Sequence, residues 1–287
     1  MKSMRIGPLE IKWQLIFILA SSGFLICAQE ANAQGNLIII PRRVVFDGTK
    51  RTQDLNLANT GTDTAKYLIS VIQYRMLEDG NFQEITKPDT AQNFADKNLR
   101  FFPRSVVLAP NEAQTIKVQL INTSDLQPGE YRSHLYFRGV PNEKPLIDKV
   151  NEKSGNAISV RLIPTFGIAI PVIIRRGTST SKVAFSATFI ENTSQGANQL
   201  KLTFTRTGNM SVYGDITVNY ISAQGKITQV GLARGFAIYT PNTNRYFTLA
   251  LDKNTNADYH KGKLQIIYTT SPEEKFIKIA ETELILL

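Results

Sequence analysis

From Leu37 onward, apolar and polar residues alternate with a period of two almost throughout, the pattern of strands with one face buried. The first run, Leu37 to Phe46, is rich in isoleucine and valine and ends on Asp47-Gly48, a turn signal. Leu55 and Leu57 alternate with polar neighbours before Asn59-Thr60-Gly61, and Tyr67 to Met76 closes on Asp79-Gly80. Phe101 to Leu108 reaches Pro110-Asn111. Ala113 to Leu120 sets Thr115, Lys117 and Gln119 opposite Ile116, Val118 and Leu120, and Pro128-Gly129 introduces Tyr131 to Phe137. Ile158 to Ile174 then forms one long apolar stretch. Strand-like runs punctuated by Gly, Pro, Asn and Asp predict an antiparallel sandwich.

The periodicity breaks at Arg175-Arg176-Gly177-Thr178-Ser179-Thr180-Ser181, which reads as a linker. It resumes at Val183 to Ile190, Leu200 to Thr207, Ile216 to Ile221, Phe236 to Tyr239, Tyr246 to Leu251, Leu264 to Thr269 and Phe276 to Leu287, a second sandwich. No segment has the apolar spacing of an amphipathic helix; short helical turns fit only around Thr90 to Asn98 and Leu146 to Asn151. The chain is therefore expected to be all-β, with a first domain over residues 34–176 and a second over 177–287. Tyr131, just after Pro-Gly-Glu, is either a tyrosine corner, its hydroxyl bonded back to nearby backbone, or a plain strand tyrosine.

The N-terminus changes what counts as the mature protein. Lys2, Arg5 and Lys12 precede an apolar run from Trp13 to Leu25, and Ala31-Asn32-Ala33 gives a small-x-small cleavage pattern. Residues 1–33 thus read as a secretory signal peptide, its core of about 13 residues short of the roughly 20 that span a bilayer. No membrane insertion is expected after cleavage. Cleavage would remove the only cysteine, Cys27, and the only tryptophan, Trp13, leaving each domain to be held by its core alone. The formal charge of +9 comes from scattered basic residues, with no dense block and no aromatic-interleaved patch, so a nucleic-acid partner is not expected.

Candidate catalytic chemistry is sparse. His134 and His260 belong to no HExxH array and have no mature cysteine to complete a zinc site. There is no GxSxG elbow, no GxxxxGK loop and no GxGxxG after a strand, so neither an enzyme nor a cofactor or metal is expected. His134 falls on the polar side of its strand, opposite Leu135 and Phe137, and reads as a surface histidine.

Ile40-Pro41-Arg42-Arg43-Val44-Val45-Phe46-Asp47-Gly48, behind a secretory leader, resembles the first strand of the PapD-like periplasmic pilus-assembly chaperones. Phe102 to Glu112, Pro128 to Arg132 and Gly167 to Arg175 continue the likeness in the family's order; Thr207-Gly208-Asn209 and Gly235 to Tyr239 are similar to its C-terminal domain, less specifically. The resemblance implies two immunoglobulin-like β-sandwich domains in a boomerang arrangement, placed in the periplasm. It also implies a binding mode in which the chaperone lends a strand to an incomplete pilus or surface-protein subunit, donor-strand complementation. It leaves room for an outer-membrane usher and a self-capping dimer as further partners. A structural or adhesive immunoglobulin-like surface protein is the alternative.

Ile158, Val160, Leu162, Phe166, Ile168 and Ile170 share one face of a regular strand. The alternation alone fits a strand filling its own core; the resemblance makes Leu162 and Phe166, flanked by Val160 and Ile168, with Ile170 beyond, the subunit-binding side chains. It likewise implies that Arg43 anchors the subunit's terminal carboxylate, which its planar fork suits, against the plainer reading of a surface ion pair. The family's partner lysine would fall near Pro171 or Val172, but no lysine lies between Lys153 and Lys182, leaving Arg43 alone or with Arg161 or Arg175. Pro164 inside the lent strand suggests a bulge at Gly167, and the polar stretch Gly139 to Asn156 is long enough to reach a partner.

Overall fold

The computed structural model describes residues 37–141, 165–192, 198–253, 255 and 257–286. The expected leader, and Val160, Arg161, Leu162 and Pro164, lie outside the described residues, as does most of the stretch Gly139 to Asn156. The first eleven strands are β1 (Leu37–Ile40), β2 (Val44–Phe46), β3 (Thr52–Asn59), β4 (Ala65–Ile72), β5 (Tyr74–Met76), β6 (Phe82–Glu84), β7 (Leu99–Phe102), β8 (Ser105–Leu108), β9 (Ala113–Leu120), β10 (Gly129–Val140) and β11 (Gly167–Arg176). They form one sheet in the order β1-β3-β9-β7, a second in the order β2-β11-β10-β4-β8, and the hairpin β5-β6. The inward faces of the two sheets share one core, with Val44, Phe46, Leu55, Leu57, Leu108, Ile116, Val118, Leu135, Phe137 and Val172 fully buried.

The later strands are β12 (Lys182–Asn192), β13 (Asn198–Thr207), β14 (Val212–Ile221), β15 (Ile227–Ile238), β16 (Asn244–Ala250), β17 (Gly262–Thr269) and β18 (Lys278–Leu286). Their sheets, β12-β13-β16 and β15-β14-β17-β18, enclose a separate core around Phe204, Ile216, Val218, Leu264, Ile266 and Tyr268. Both halves are immunoglobulin-like two-sheet sandwiches. Tyr131 makes the tyrosine corner: its hydroxyl donates to the Gln127 carbonyl at 3.2 Å and accepts from the Gln127 amide at 3.0 Å.

Several runs that look continuous in sequence change sheet. Leu37 to Phe46 is two strands, β1 in the first sheet and β2 in the second, parted at Pro41-Arg42-Arg43. The buried set shifts from odd positions (Leu37, Ile39) to even ones (Val44, Phe46), as an interrupted pleat requires. Four consecutive apolar residues, Leu37 to Ile40, conceal that change of phase in the sequence. Phe101 to Leu108 divides in the same way into β7 and β8 around Pro103, whose missing N–H cannot continue a ladder, and Tyr67 to Met76 divides into β4 and β5. Phe236 to Tyr239 is only the last three residues of β15 and the one after it, and the earlier part of β15 is an edge strand with Ile227 and Leu232 exposed.

β4 pairs only with His134 to Val140 of β10, so the first half of β10 needs other partners. The loop before β7 supplies them. Asn93 accepts from the Arg132 amide at 2.9 Å and donates its side chain to the Glu130 carbonyl at 3.3 Å, and the Ala95 amide reaches Ser133 Oγ at 2.9 Å. This fixes the end of β10 that carries Glu130 and Arg132.

Candidate functional site

β11 is paired along its whole length on one side and along only part of it on the other. Gly167 to Arg176 runs in unbroken antiparallel register against β10, whereas β2 pairs only with Val172 to Ile174. Among the described residues, Gly167 to Pro171 has no strand on its second edge. The bulge expected at Gly167 is absent: the register does not shift there, and the Tyr136 ring lies where a Cβ would project. Glycine lets that ring pack against the strand.

Side-chain placement along β11 follows the same division. Ile170, Val172 and Ile174 point into the domain's own core, so Ile170, expected among the subunit contacts, is 4% exposed and already occupied in packing. Phe166 and Ile168 have the same parity but lie past the end of that core, 63% and 38% exposed. On the edge of the first sheet, Ile38 and Ile40 of β1 are exposed as well. Extended apolar chain with an unpaired edge invites another strand.

The other end of β11 enters the junction between the sandwiches. Met76 and Ile173 pack there against Ala237 and Tyr239, with Val45 and Tyr213 alongside. Arg43 lays its guanidinium 3.8 Å from the centre of the Tyr213 ring, and its buried Nε and Nη1 have no hydrogen-bond partner. Arg132, only 2% exposed, stacks 4.1 Å from the Tyr239 ring centre and donates Nη2 to the Thr240 carbonyl at 3.1 Å; its Nε and Nη1 are also unpartnered. Burial works against the charge on Arg132, partly offset by Tyr239 and Glu130. Burial likewise pushes the Tyr239 phenol up, opposed by the charges of both Arg43 and Arg132, which places both guanidiniums in the field of one hydroxyl. Buried cationic donors without acceptors are receptive to an anion.

Arg175, the other described candidate for assisting Arg43, is engaged elsewhere. Its Nε donates to Glu130 at 3.2 Å and its Nη2 to the Ser211 carbonyl at 2.8 Å. Glu130 is buried and also accepts from the Ser211 amide at 3.0 Å, from Ser211 Oγ and from Thr240 Oγ1 at 3.4 Å.

No family model matches this chain, and no curated protein does. Solved structures do. The chain is similar to the YadV chaperone at 14% identity with a TM-score of 0.42, over 87% of this chain and 99% of that one. It is similar to the Pseudomonas aeruginosa CupB2 chaperone at 13% identity and a TM-score of 0.41, over 87% of this chain and 100% of that one. A complex of Salmonella enterica SafA pilin with the SafB chaperone gives 13% identity and a TM-score of 0.40, over 89% and 99% of the two chains.

Two residues of the junction escape the sequence reading. Arg132 sits on the even-numbered face of β10 with Glu130 and His134, a face that looks solvent-exposed because it is polar. It is instead covered by the second sandwich and by the β5-β6 hairpin. His134 is therefore not a surface histidine: it is 4% exposed, edge-on to Tyr74 at 5.0 Å and Phe82 at 6.0 Å between ring centres, with Nδ1 unpartnered. The hairpin is itself tied to the second sandwich. Asn242 Nδ2 donates to the Met76 carbonyl at 2.8 Å, and the Glu78 carbonyl accepts from the Tyr246 amide at 2.7 Å and from Arg245 Nη1 at 3.2 Å. The signal that would have found these residues is the pairing of Arg132 and His134 with a glutamate on one strand face, a composition suited to a polar junction.

Proposed function

We propose that this protein is a periplasmic chaperone, exported by its leader, that holds immunoglobulin-like pilus or surface subunits by lending them the open edge of β11, and catalyses no reaction. The observation that carries the reading is the half-paired β11: Gly167 to Pro171 without a second neighbour among the described residues, with Phe166 just before it and Ile168 within it exposed. A subunit sandwich that lacks a strand has unsatisfied backbone groups at one sheet edge and an apolar groove beneath. A lent strand answers both, with main-chain hydrogen bonds along the edge and alternate side chains in the groove.

In this reading Arg43 and Arg132 take the subunit's terminal carboxylate. Together they bring four buried, unpartnered nitrogens to the junction. Arg132, on the strand beside β11, does the work that a lysine on β11 itself would otherwise do, consistent with the absence of any lysine between Lys153 and Lys182. The carboxylate sets the register, and the β11 edge supplies affinity.

The test is periplasmic co-expression with the exported proteins encoded by neighbouring genes. A one-to-one complex is expected, and the client should aggregate or be degraded without this protein. Phe166 and Ile168 are exposed in the free protein, so F166S/I168S should leave its unfolding midpoint unchanged. Capture should nonetheless fall by about tenfold or more, since each buried apolar side chain contributes roughly 1.5–3 kcal/mol. Arg43→Ala or Arg132→Met should weaken capture of the intact client more than that of a client with an amidated C-terminus. Full capture by the serine double variant would overturn the lent-strand reading.

A further inference from the structure

Which backbone groups of β11 face its open edge follows from its register with β10. The Gly139 amide donates to the Phe166 carbonyl at 2.9 Å, one step along from the pairing of Arg138 with Gly167. Bonded pairs alternate in an antiparallel ladder, so Ile168, Ile170, Val172 and Ile174 turn N–H and C=O towards β10. Gly167, Ala169, Pro171 and Ile173 turn theirs the other way. The far side of β10 agrees: Arg132, paired with Ile173, sends its amide to Asn93, away from β11.

The second edge of β11 is divided. β2 takes Val172 to Ile174, its pairing starting at Val44 opposite Val172. On the open stretch before that point only Gly167 and Ala169 have amides to give, because Pro171 has none. A proline at 170 or 172 would break the ladder with β10; at 171 it removes a donor from the second edge alone. The residue that leads into Val44 is Arg43, whose Nε and Nη1 lack partners. We propose that Pro171 is a positioning residue of the lent edge. A partner strand pairs with Gly167 and Ala169, finds no donor at Pro171 and leaves the ladder there, its chain end beside Arg43. The inference rests on the lent-strand reading and adds a second control of register, carried by the backbone rather than by charge.

The test follows amide hydrogen exchange by nuclear magnetic resonance in the isotope-labelled protein. The probe is a short peptide of alternating valine and threonine, led by two lysines for solubility, as the free acid and as the C-terminal amide. In the free protein the Ile168 and Ile170 amides should exchange slowly and those of Gly167 and Ala169 fast. The free-acid peptide should slow the second pair by about tenfold or more, and bind about tenfold more tightly than its amide. In Pro171→Val the introduced amide should exchange fast until peptide binds and slowly thereafter. Preference for the free acid should then shrink to about twofold or less, since the strand can slide past its stop. An introduced amide that stays fast with peptide bound, or an undiminished preference, would overturn the proposal. Protection of that amide before peptide is added would overturn it too, assigning the stop to β2. Gly167 and Ala169 left unprotected by peptide in the wild type would instead overturn the lent-strand reading, and this inference with it.

Discussion

His134 has a neutral imidazole enclosed by Tyr74 and Phe82, and its pKa is driven down to about 3, first by burial and then by the neighbouring Arg132 charge. In the unfolded chain the same group takes its proton near 6.5, so between those values the unfolded state binds more protons than the folded one. Stability is therefore complete above pH 6.5 and declines as the pH falls towards 3, at up to ~1.4 kcal/mol per unit. Asp47, Asp79, Asp89, Asp258 and Glu281, all held below their ordinary values chiefly by hydrogen bonds, add their own acid-induced loss only lower in the range. The window from pH 6.5 to about 4.5 thus isolates His134. Urea titrations there should show a falling midpoint for the wild type and a nearly flat one for His134→Phe; parallel slopes would mean that the imidazole is not buried neutral.

At the scale of elements, most strands could be read from the sequence because one face of each is buried and the other wet, which writes a period of two into the residues. The places where strands change sheet could not be read. Where Leu37 to Ile40 are apolar on both faces, a phase change leaves no mark, and only the proline after them signals it. The junction was hidden for a different reason: Glu130, Arg132 and His134 are covered by the second sandwich and the β5-β6 hairpin, and a polar face turned to protein has the same alternation as one turned to water. Phe166 and Ile168 were legible as apolar strand positions, but only the structure separates them from Ile170 by where the core ends. Of the β5-β6 hairpin, β5 was read as the end of the Tyr67 to Met76 run and Asp79-Gly80 as its turn, but β6, short and exposed throughout, was not legible. The hairpin's turn offers a direct test. Gly80 has φ +90°, and an added Cβ would strike the Arg245 guanidinium that binds the Glu78 carbonyl. Gly48 has φ +97° with open space around it, so it serves as the backbone control. Gly80→Ala should cost more than Gly48→Ala by about 1–3 kcal/mol in denaturant unfolding, because the displaced guanidinium gives up its hydrogen bond to the Glu78 carbonyl; equal losses would mean that the hairpin is not pressed against the second sandwich.

For the whole molecule, the question is what joins the two separate cores. The apolar contact between them is small, four buried residues with two neighbours, and would not by itself hold two domains in register. The polar network around Glu130 does more: one buried carboxylate from β10 gathers Ser211 and Thr240 of the second sandwich, while Arg175, at the end of β11, binds both Glu130 and the Ser211 carbonyl. Removing the carboxylate leaves Arg175 half-buried without its counter-ion and the Ser211 amide without an acceptor, a loss of about 3–5 kcal/mol if the pair behaves as a buried one and less to the extent that Arg175 is solvated. That loss falls on the coupling between domains, because neither core contains these groups. Calorimetry should therefore show one unfolding transition for the wild type and two for Glu130→Ala, while each sandwich keeps its strand signal. On the lent-strand proposal, client capture should fall in the same variant even though Phe166 and Ile168 are untouched, since Arg43 is stacked on Tyr213 and Arg132 on Tyr239, both across the junction. A lent strand without a fixed cleft would still bind, but in no single register, and a mixture of registers in the captured subunit is the signature that distinguishes lost coupling from a lost contact.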